Sequence, residues 1–256
     1  MAPGTQPGSV KTPARAPAGD PSAETGSFRL VLMRHGQSEW NARNLFTGWA
    51  NPDLTPFGEQ QAVRAGQMLA DEGLLPDVAH TSLQRRAIHS AQLALATCGR
   101  DRIPLRRSWR LNGRHYGALQ GRDKDEVRRE YGEHQVMSWR RAYDAAPPRC
   151  AADPSLPGAA HYPQLRLEDE PRSESLRDVT ARLLPYWHDA VVPDLRTGAC
   201  VLIVSHGNTL RALIKYLDQI GDDQITALSV PNAIPLLYRL GSDMRPLVRG
   251  GSFLAG

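Results

Sequence analysis

Two histidines each stand directly before a glycine at the end of an apolar run. His35 lies in the tripeptide Arg-His-Gly after residues 28–33 (FRLVLM), and His206 begins His-Gly-Asn after residues 201–205 (VLIVS). A neutral imidazole can act as a nucleophile or as a general acid or base, and glycine lets the backbone approach a ligand closely. One histidine alone is most often structural, but two matched pairs indicate a catalytic site.

Short apolar runs alternate with helical patterns along most of the chain. This alternation predicts a three-layer α/β sandwich, with a mostly parallel sheet and helices on both faces. In such sheets ligands bind beyond the carboxyl ends of the strands, where both histidines are expected. The predicted strands are 28–33, 77–82, 103–107, 201–205 and 234–240; the predicted helices are 57–72, 84–98, two pieces of 123–142 broken near Gly132, 174–190 (bent at Pro185) and 208–220.

The 256 residues suffice for one catalytic domain, predicted over 28–256. Residues 1–27 are rich in Pro, Ala, Gly, Ser and Thr, and predict a disordered extension. Residues 144–172 have little periodicity, and we expect an insertion that runs over the surface.

Composition narrows the class of protein further. Three cysteines with no metal-site spacing argue against a disulfide framework and favour a cytoplasmic protein. No apolar stretch approaches the ~20 residues of a membrane span, so no membrane partner is expected. The net charge of +4 is compatible with nucleic acid, an acidic surface or a small anion. Only the placement of the basic residues can decide among these partners.

An ordered series of motifs closely resembles the phosphoglycerate mutase branch of the histidine phosphatase superfamily. The resemblance covers about 28–254. It rests on LVLMRHGQSEWN (30–41), LFTGW (45–49), SLQRRAIHSA (82–91), LNGRHYGALQGRDK (111–124), WRRAYDAAPP (139–148), ESLRDVTARLLPYW (174–187), VSHGNTLRALIKYLD (204–218) and VPNAIPLLYRL (230–240).

The resemblance implies a role for each matching residue. His35 would be the nucleophile, kept neutral by clustered cations that depress its pKa. Arg34, Arg86 and His206 would surround the transferring phosphoryl group and stabilise its charge. Further residues would bind the substrate: Asn41, Gly207 and Asn208 by hydrogen bonds, Thr47 and Gly48 in the loop that closes the site, and Arg114, Tyr116, Lys124, Arg140 and Arg141 at the second anion.

The resemblance also implies the ligands and the assembly. The substrate would be a small anionic phosphorylated molecule, with 2,3-bisphosphoglycerate as primer and no metal. Cations that converge on one pocket argue against a nucleic-acid partner. A homodimer or homotetramer is expected, and the tail 249–256 resembles a segment that folds over the active site.

One position departs from the family pattern. The family reads Leu-Asn-Glu-Arg-His-Tyr-Gly, where this chain has Gly113 in place of the glutamate that acts as general acid and base. Glycine cannot transfer a proton, and such catalysis is typically worth ~10²–10⁴ in rate. Three explanations stay open. The chain is a slowed mutase helped by water, or another carboxylate (Glu39, Glu126 or Glu174) replaces the missing one. In the third, the chain is a phosphatase for substrates with good leaving groups, or it binds phosphorylated metabolites without catalysis.

The expected activity is therefore the interconversion of 3- and 2-phosphoglycerate in glycolysis and gluconeogenesis, through a phosphohistidine on His35. The alternatives are a phosphatase for small phosphomonoesters and a catalytically weak protein that binds phosphorylated metabolites.

Overall fold

The computed structural model describes residues 27–151 and 171–255. Within them the strands form one mixed sheet in the order β3-β2-β4-β1-β5-β6. β1, β2, β3 and β4 are mutually parallel, and β5 and β6 add antiparallel pairs at one side. The strands are β1 (Phe28–Arg34), β2 (Val78–Thr81), β3 (Leu105–Arg107), β4 (Val201–Ser205), β5 (Leu236–Leu240) and β6 (Ser252–Phe253).

Helices cover both faces of the sheet, so the predicted three-layer fold is confirmed. The helices are α1 (Glu39–Ala42), α2 (Pro56–Asp71), α3 (Arg85–Thr97), α4 (Lys124–Tyr131), α5 (Glu133–Arg141), α6 (Leu176–Tyr186), α7 (Val192–Arg196) and α8 (Gly207–Asp218). No helix among the described residues is long and apolar enough to cross a membrane.

The core lies on both sides of β1, whose side chains alternate between two apolar clusters. Leu30 and Leu32 pack in the cluster that contains residues of α6 and α8. Val31 and Met33 pack in the cluster that contains residues of α2 and α3. Both faces of this strand are therefore buried from Leu30 to Met33, which explains why these four residues are all apolar.

The register brings the functional loops to one edge. Arg34 of β1 pairs with Ser205 of β4, and Thr81 of β2 pairs with Val204. Because these strands are parallel, the loops that follow them leave the sheet side by side. His35 N–H then donates to Ser205 O at 3.0 Å, which continues the pairing beyond β1.

Local sequence explains several boundaries. Thr55 Oγ1 accepts from Gly58 N–H and caps α2, and Pro56 occupies its first turn. Gly132 separates α4 from α5 at a positive φ of 82°, a backbone conformation that favours glycine.

Other boundaries differ from those predicted. The short α1 and β6 were not foreseen. The helix predicted to end at residue 190 continues through a π-helical turn (Trp187–Val191), which follows Pro185, into α7. α8 begins at Gly207, one residue early.

Two predictions fall largely outside the described residues. The extension 1–27 lies there except for its last residue, as does the middle of the insertion 144–172. The two ends of the insertion meet, since Cys150 N–H donates to Arg172 O at 3.1 Å. Both assignments stay predictions.

Candidate active site

A polar cavity of about 160 Å³ opens at the carboxyl ends of β1 and β4. Every site residue predicted from the sequence lies on its wall. The lining comprises Arg34, His35, Asn41, Leu45, Phe46, Thr47, Gly48, Arg86, Gly113, Arg114, Tyr116, Lys124, Arg140, Arg141, His206, Gly207, Asn208, Arg211, Ser229 and Val230. Six arginines and one lysine therefore face a space to which the described residues contribute no carboxylate.

His35 is held in one orientation at the cavity wall. Its Nδ1 lies 2.6 Å from Gly36 O, and a carbonyl only accepts, so Nδ1 carries the proton of the neutral ring. Nε2 then carries the lone pair of the ring. Burial, with the Arg86 and Arg34 guanidinium groups, holds the pKa of His35 well below its usual range. The ring is neutral at physiological pH, as a nucleophile requires.

Gly36 allows this placement because a side chain would not fit. A Cβ on Gly36 would lie 2.1 Å from Gly58 O at the start of α2. The backbone N–H of Gly36 donates to Ser90 Oγ of α3. The loop after β1 is thus packed tightly against both helices.

Arg86 and Arg34 bring positive charge to His35. Arg86 Nε donates to His35 Nε2 at 3.3 Å, and its other nitrogens donate to the carbonyls of Ala50 and Gly48. Arg34 Nη1 donates to Val230 O at 3.0 Å. Both guanidinium groups are fixed by backbone acceptors before any ligand binds, which preorganises them.

His206 lies opposite His35, with 5.0 Å between the ring centroids. Its Nε2 lies 2.8 Å from Ser82 Oγ, which itself accepts from Gln84 N–H. The Ser82 hydroxyl can donate to Nε2, and in that arrangement the ring proton of His206 lies on Nδ1. Burial and the Arg86 charge hold the pKa of His206 well below its usual range.

A second cationic group lies across the cavity. The Arg114 guanidinium lies over the Tyr116 ring at 4.7 Å, and Asn208 Nδ2 donates to Tyr116 Oη at 3.0 Å. Burial raises the pKa of the Tyr116 phenol, but the Arg114 and Arg140 charges and these hydrogen bonds outweigh it and lower the pKa to about 8. Lys124 and Arg141 complete the group, and burial lowers the pKa of both.

Several buried polar atoms on this wall have no hydrogen-bond partner among the described residues. They are Arg34 Nε, Thr47 Oγ1, Arg114 Nε and Nη1, His206 Nδ1 and Arg211 Nε. A buried donor without a partner is costly, and an anion with several oxygens would satisfy these atoms. The cavity therefore fits a small polyanion.

Comparison with protein families identifies the superfamily of this chain. The sequence model of the histidine phosphatase superfamily (branch 1) matches residues 30–240. The chain belongs to the histidine phosphatase superfamily.

Within this superfamily, two similar proteins are named 2,3-bisphosphoglycerate-dependent phosphoglycerate mutase. The protein of Streptomyces griseus subsp. griseus is 56% identical over 229 residues, 89% of this chain and 90% of its own. That of Mycobacterium tuberculosis is 56% identical over 232 residues, 91% and 92% of the two chains. The structure of mycobacterial glucosyl-3-phosphoglycerate phosphatase with VO₃ is also similar, with a TM-score of 0.68 at 25% identity, over 88% of this chain and all of that one.

Gly113, the position at which the resemblance implies a glutamate, lies on the wall of this cavity. A Cβ built there would lie 3.3 Å from His206 Cγ and from Gly48 O. The carboxylates considered as replacements do not line the cavity. Glu39 and Glu126 are exposed, and Glu174 is buried in an ion pair with Arg182 at 2.6 Å.

The pair of Glu174 and Arg182 instead braces the loop that carries Gly113. Arg182 Nη2 donates to Gly113 O at 3.0 Å, and Glu174 Oε2 accepts from His115 N–H at 2.8 Å. This loop places Arg114 and Tyr116 in the cavity. Glu174 therefore holds the site in shape without facing it.

Sequence reasoning missed four supporting residues: Ser82, Gln84, Arg182 and Arg211. Gln84 Oε1 accepts from Gly113 N–H at 2.8 Å, and its Nε2 donates to Gly48 O at 3.0 Å. All four lie inside the motifs that carry the resemblance, but each acts through atoms distant in sequence. In the part of the chain that the structure describes, no group of three or more metal-ligating side chains is present.

Proposed function

We propose that this protein is a phosphoglycerate mutase, an isomerase that interconverts 3- and 2-phosphoglycerate through a phosphohistidine on His35. The observation that carries the proposal is the neutral His35, with Nε2 available, between two groups of cations in one cavity. The two mutases that match about nine tenths of this chain at 56% identity support it. We propose 2,3-bisphosphoglycerate as the primer, which both names include.

His35 begins the reaction from its neutral form. Nε2 forms a bond to phosphorus, the bond between phosphorus and the leaving oxygen breaks, and that oxygen keeps the electron pair. Arg86 Nε, which donates to Nε2 before reaction, would turn to a phosphoryl oxygen. Arg34 Nε and His206 Nδ1 have no partner among the described residues and would donate to the same group. Such stabilisation is the main task in phosphoryl transfer.

The opposite group would hold the rest of the substrate. Phosphoglycerate carries a carboxylate besides its phosphate, and arginines grip both kinds of anion with paired hydrogen bonds. Arg114 offers two nitrogens, Nε and Nη1, that have no partner within residues 27–151 and 171–255, and Arg140 and Arg141 also line the cavity. Lys124 and Tyr116 would contribute further hydrogen bonds. A molecule bound between the two groups of cations can exchange its ends and present either its 2-oxygen or its 3-oxygen to phospho-His35.

The oxygen that leaves needs a proton, and the oxygen that later attacks must lose one. At Gly113 no side chain supplies this transfer, so water is left to carry the proton. We infer a turnover reduced by about 10²–10⁴ relative to an enzyme with a carboxylate there.

A phosphatase is the second candidate, favoured by two observations. The cavity wall lacks a carboxylate among the described residues, and one similar structure is a glucosyl-3-phosphoglycerate phosphatase. In that reading water, not a phosphoglycerate, takes the phosphoryl group from His35.

One pair of assays on the same sample separates the two. A coupled mutase assay with and without 2,3-bisphosphoglycerate measures isomerisation, and phosphate release measures hydrolysis. The proposal expects isomerisation that depends on the primer. Phosphate release without isomerisation would establish the phosphatase instead.

Setting and assembly complete the proposal. The substrate is a small phosphorylated anion and not a nucleic acid, because six arginines and one lysine line the cavity. We propose a cytoplasmic homodimer or homotetramer that acts in glycolysis and gluconeogenesis. Residues 28–256 would be its catalytic domain, and no metal takes part.

A further inference from the structure

Arg211 lies in the wall of the cavity on α8, and its side chain is 3% exposed. Its guanidinium donates to four oxygens. Nη1 donates to Asn208 Oδ1 at 2.8 Å and to Arg140 O at 3.4 Å. Nη2 donates to Ile225 O at 2.7 Å and to Arg141 O at 2.9 Å. One buried side chain therefore contacts Asn208, Arg140 and Arg141, which all line the cavity on the side of the second cationic group.

These contacts supply hydrogen-bond donors to the carbonyl groups at the end of α5. The last carbonyls of a helix have no partner within it, and α5 ends at Arg141. Arg211 donates to two of those carbonyls from another helix. Because the backbone of Arg140 and Arg141 is held this way, the starting points of both side chains are fixed relative to Asn208.

The position of Arg211 among other cations calls for an explanation other than charge pairing. Burial, with the nearby charges of Arg141 and Arg114, lowers its pKa to about 10, so it stays charged at neutral pH. Its partners are carbonyl and amide oxygens, and the flat, forked guanidinium can reach several of them at once. An ammonium group cannot span the same set.

We propose that Arg211 is a positioning residue for the second anion, and that it thereby selects substrates that carry a carboxylate besides the phosphoryl group. The identity of that substrate rests on the proposed function. The phosphoryl end is fixed separately, since Arg86 bonds to Gly48 and Ala50, and Arg34 to Val230. Loss of Arg211 should therefore weaken one end of the site and spare the other.

The test compares Arg211→Lys with the wild type by calorimetric titration of two probes, 3-phosphoglycerate and inorganic phosphate. Arg211→Lys keeps the positive charge and replaces the forked guanidinium group with an ammonium group. We expect the Kd for 3-phosphoglycerate to rise at least tenfold and that for phosphate to change less than twofold. Hydrogen exchange over 133–141 should become faster, because the end of α5 loses its donors.

The control is Lys215→Met on the same helix. Lys215 pairs with Asp222 and donates to Ile220 O, outside the cavity. Both titrations and the exchange of α5 should match the wild type. If Arg211→Lys does not fold, Arg211→Gln repeats the comparison without the charge.

Three results would overturn the inference: equal loss of both probes, no change in either probe or in the exchange of α5, or a wild type that binds phosphate as tightly as 3-phosphoglycerate. A wild type that does not isomerise phosphoglycerate refutes the proposed function instead. The ratio of the two affinities and the exchange rates still decide the role of Arg211.

Discussion

Replacing Gly113 with glutamate should raise the mutase turnover at least tenfold. The backbone there accepts a side chain, because Gly113 is not among the glycines with positive φ. Its Cβ would lie 3.2 Å from Gln84 Oε1 and 3.3 Å from Gly48 O and His206 Cγ. These distances are short but require shifts of only a few tenths of an ångström. The new carboxyl group would start beside His206, at the wall of the reacting space.

The magnitude follows from two opposing effects. A general acid and base is worth about 10²–10⁴ in rate. Crowding a packed site typically costs about 1–3 kcal/mol, and each 1.4 kcal/mol is a factor of ten. The lower ends of both ranges leave a net gain of about tenfold.

The assay is the initial rate of 2-phosphoglycerate formation with saturating primer. Gly113→Gln is the matched control, since it has the same shape and cannot transfer a proton. Gly113→Ala tests the crowding alone. If the Glu and Gln variants turn over equally, or if the wild type is already as fast as Gly113→Glu, the missing-acid argument is wrong.

Three further outcomes are expected. Burial outweighs the Asp194 carboxylate and lowers the pKa of His80 from 6.5 to about 4, so the unfolded chain takes up this proton first; as the pH falls from about 6.5 to 4, the free energy of unfolding should fall, with His80 alone contributing up to about 1.4 kcal/mol per pH unit, and a flat urea-unfolding profile there would contradict this. Arg182→Met leaves the buried Glu174 carboxylate unpaired and should lower the free energy of unfolding by about 3–5 kcal/mol, whereas a loss below 1 kcal/mol in urea would argue against a structural role. With no acid at Gly113, labelling of His35 by aryl phosphates should accelerate steeply as the leaving-group pKa falls, and a slope equal to that of Gly113→Glu would exclude this explanation.

The sequence predicts the parts of the fold that local patterns determine. Residues 30–33 and 201–204 are all apolar because both faces of β1 and β4 are buried there. Thr55 and Pro56 start α2 by local hydrogen bonding and backbone geometry. These features depend on neighbours in sequence, and the structure agrees with them.

Features that depend on distant contacts were not predictable. β6 is two residues long and exists because Phe253 pairs with Leu236 across the edge of the sheet. The turn after Tyr186 is π-helical, and the helix continues beyond residue 190, where its end was predicted. Neither feature has a local sequence signal.

The candidate site likewise has residues that the sequence predicts and residues that it does not. The two His-Gly pairs at strand ends indicate its place, and the resemblance supplies the residues that line it. Arg182 and Arg211 look like solvated helix residues, yet both are buried and donate to carbonyls more than ten residues away. Only the folded chain brings those partners to them.

The most direct test of the account is a ³¹P NMR time course with 3-phosphoglycerate as substrate. Wild type and His35→Ala are compared with and without catalytic 2,3-bisphosphoglycerate. The account predicts that 2-phosphoglycerate appears only with the primer and only in the wild type, with little free phosphate. Isomerisation by His35→Ala, or phosphate release in place of 2-phosphoglycerate, would contradict it.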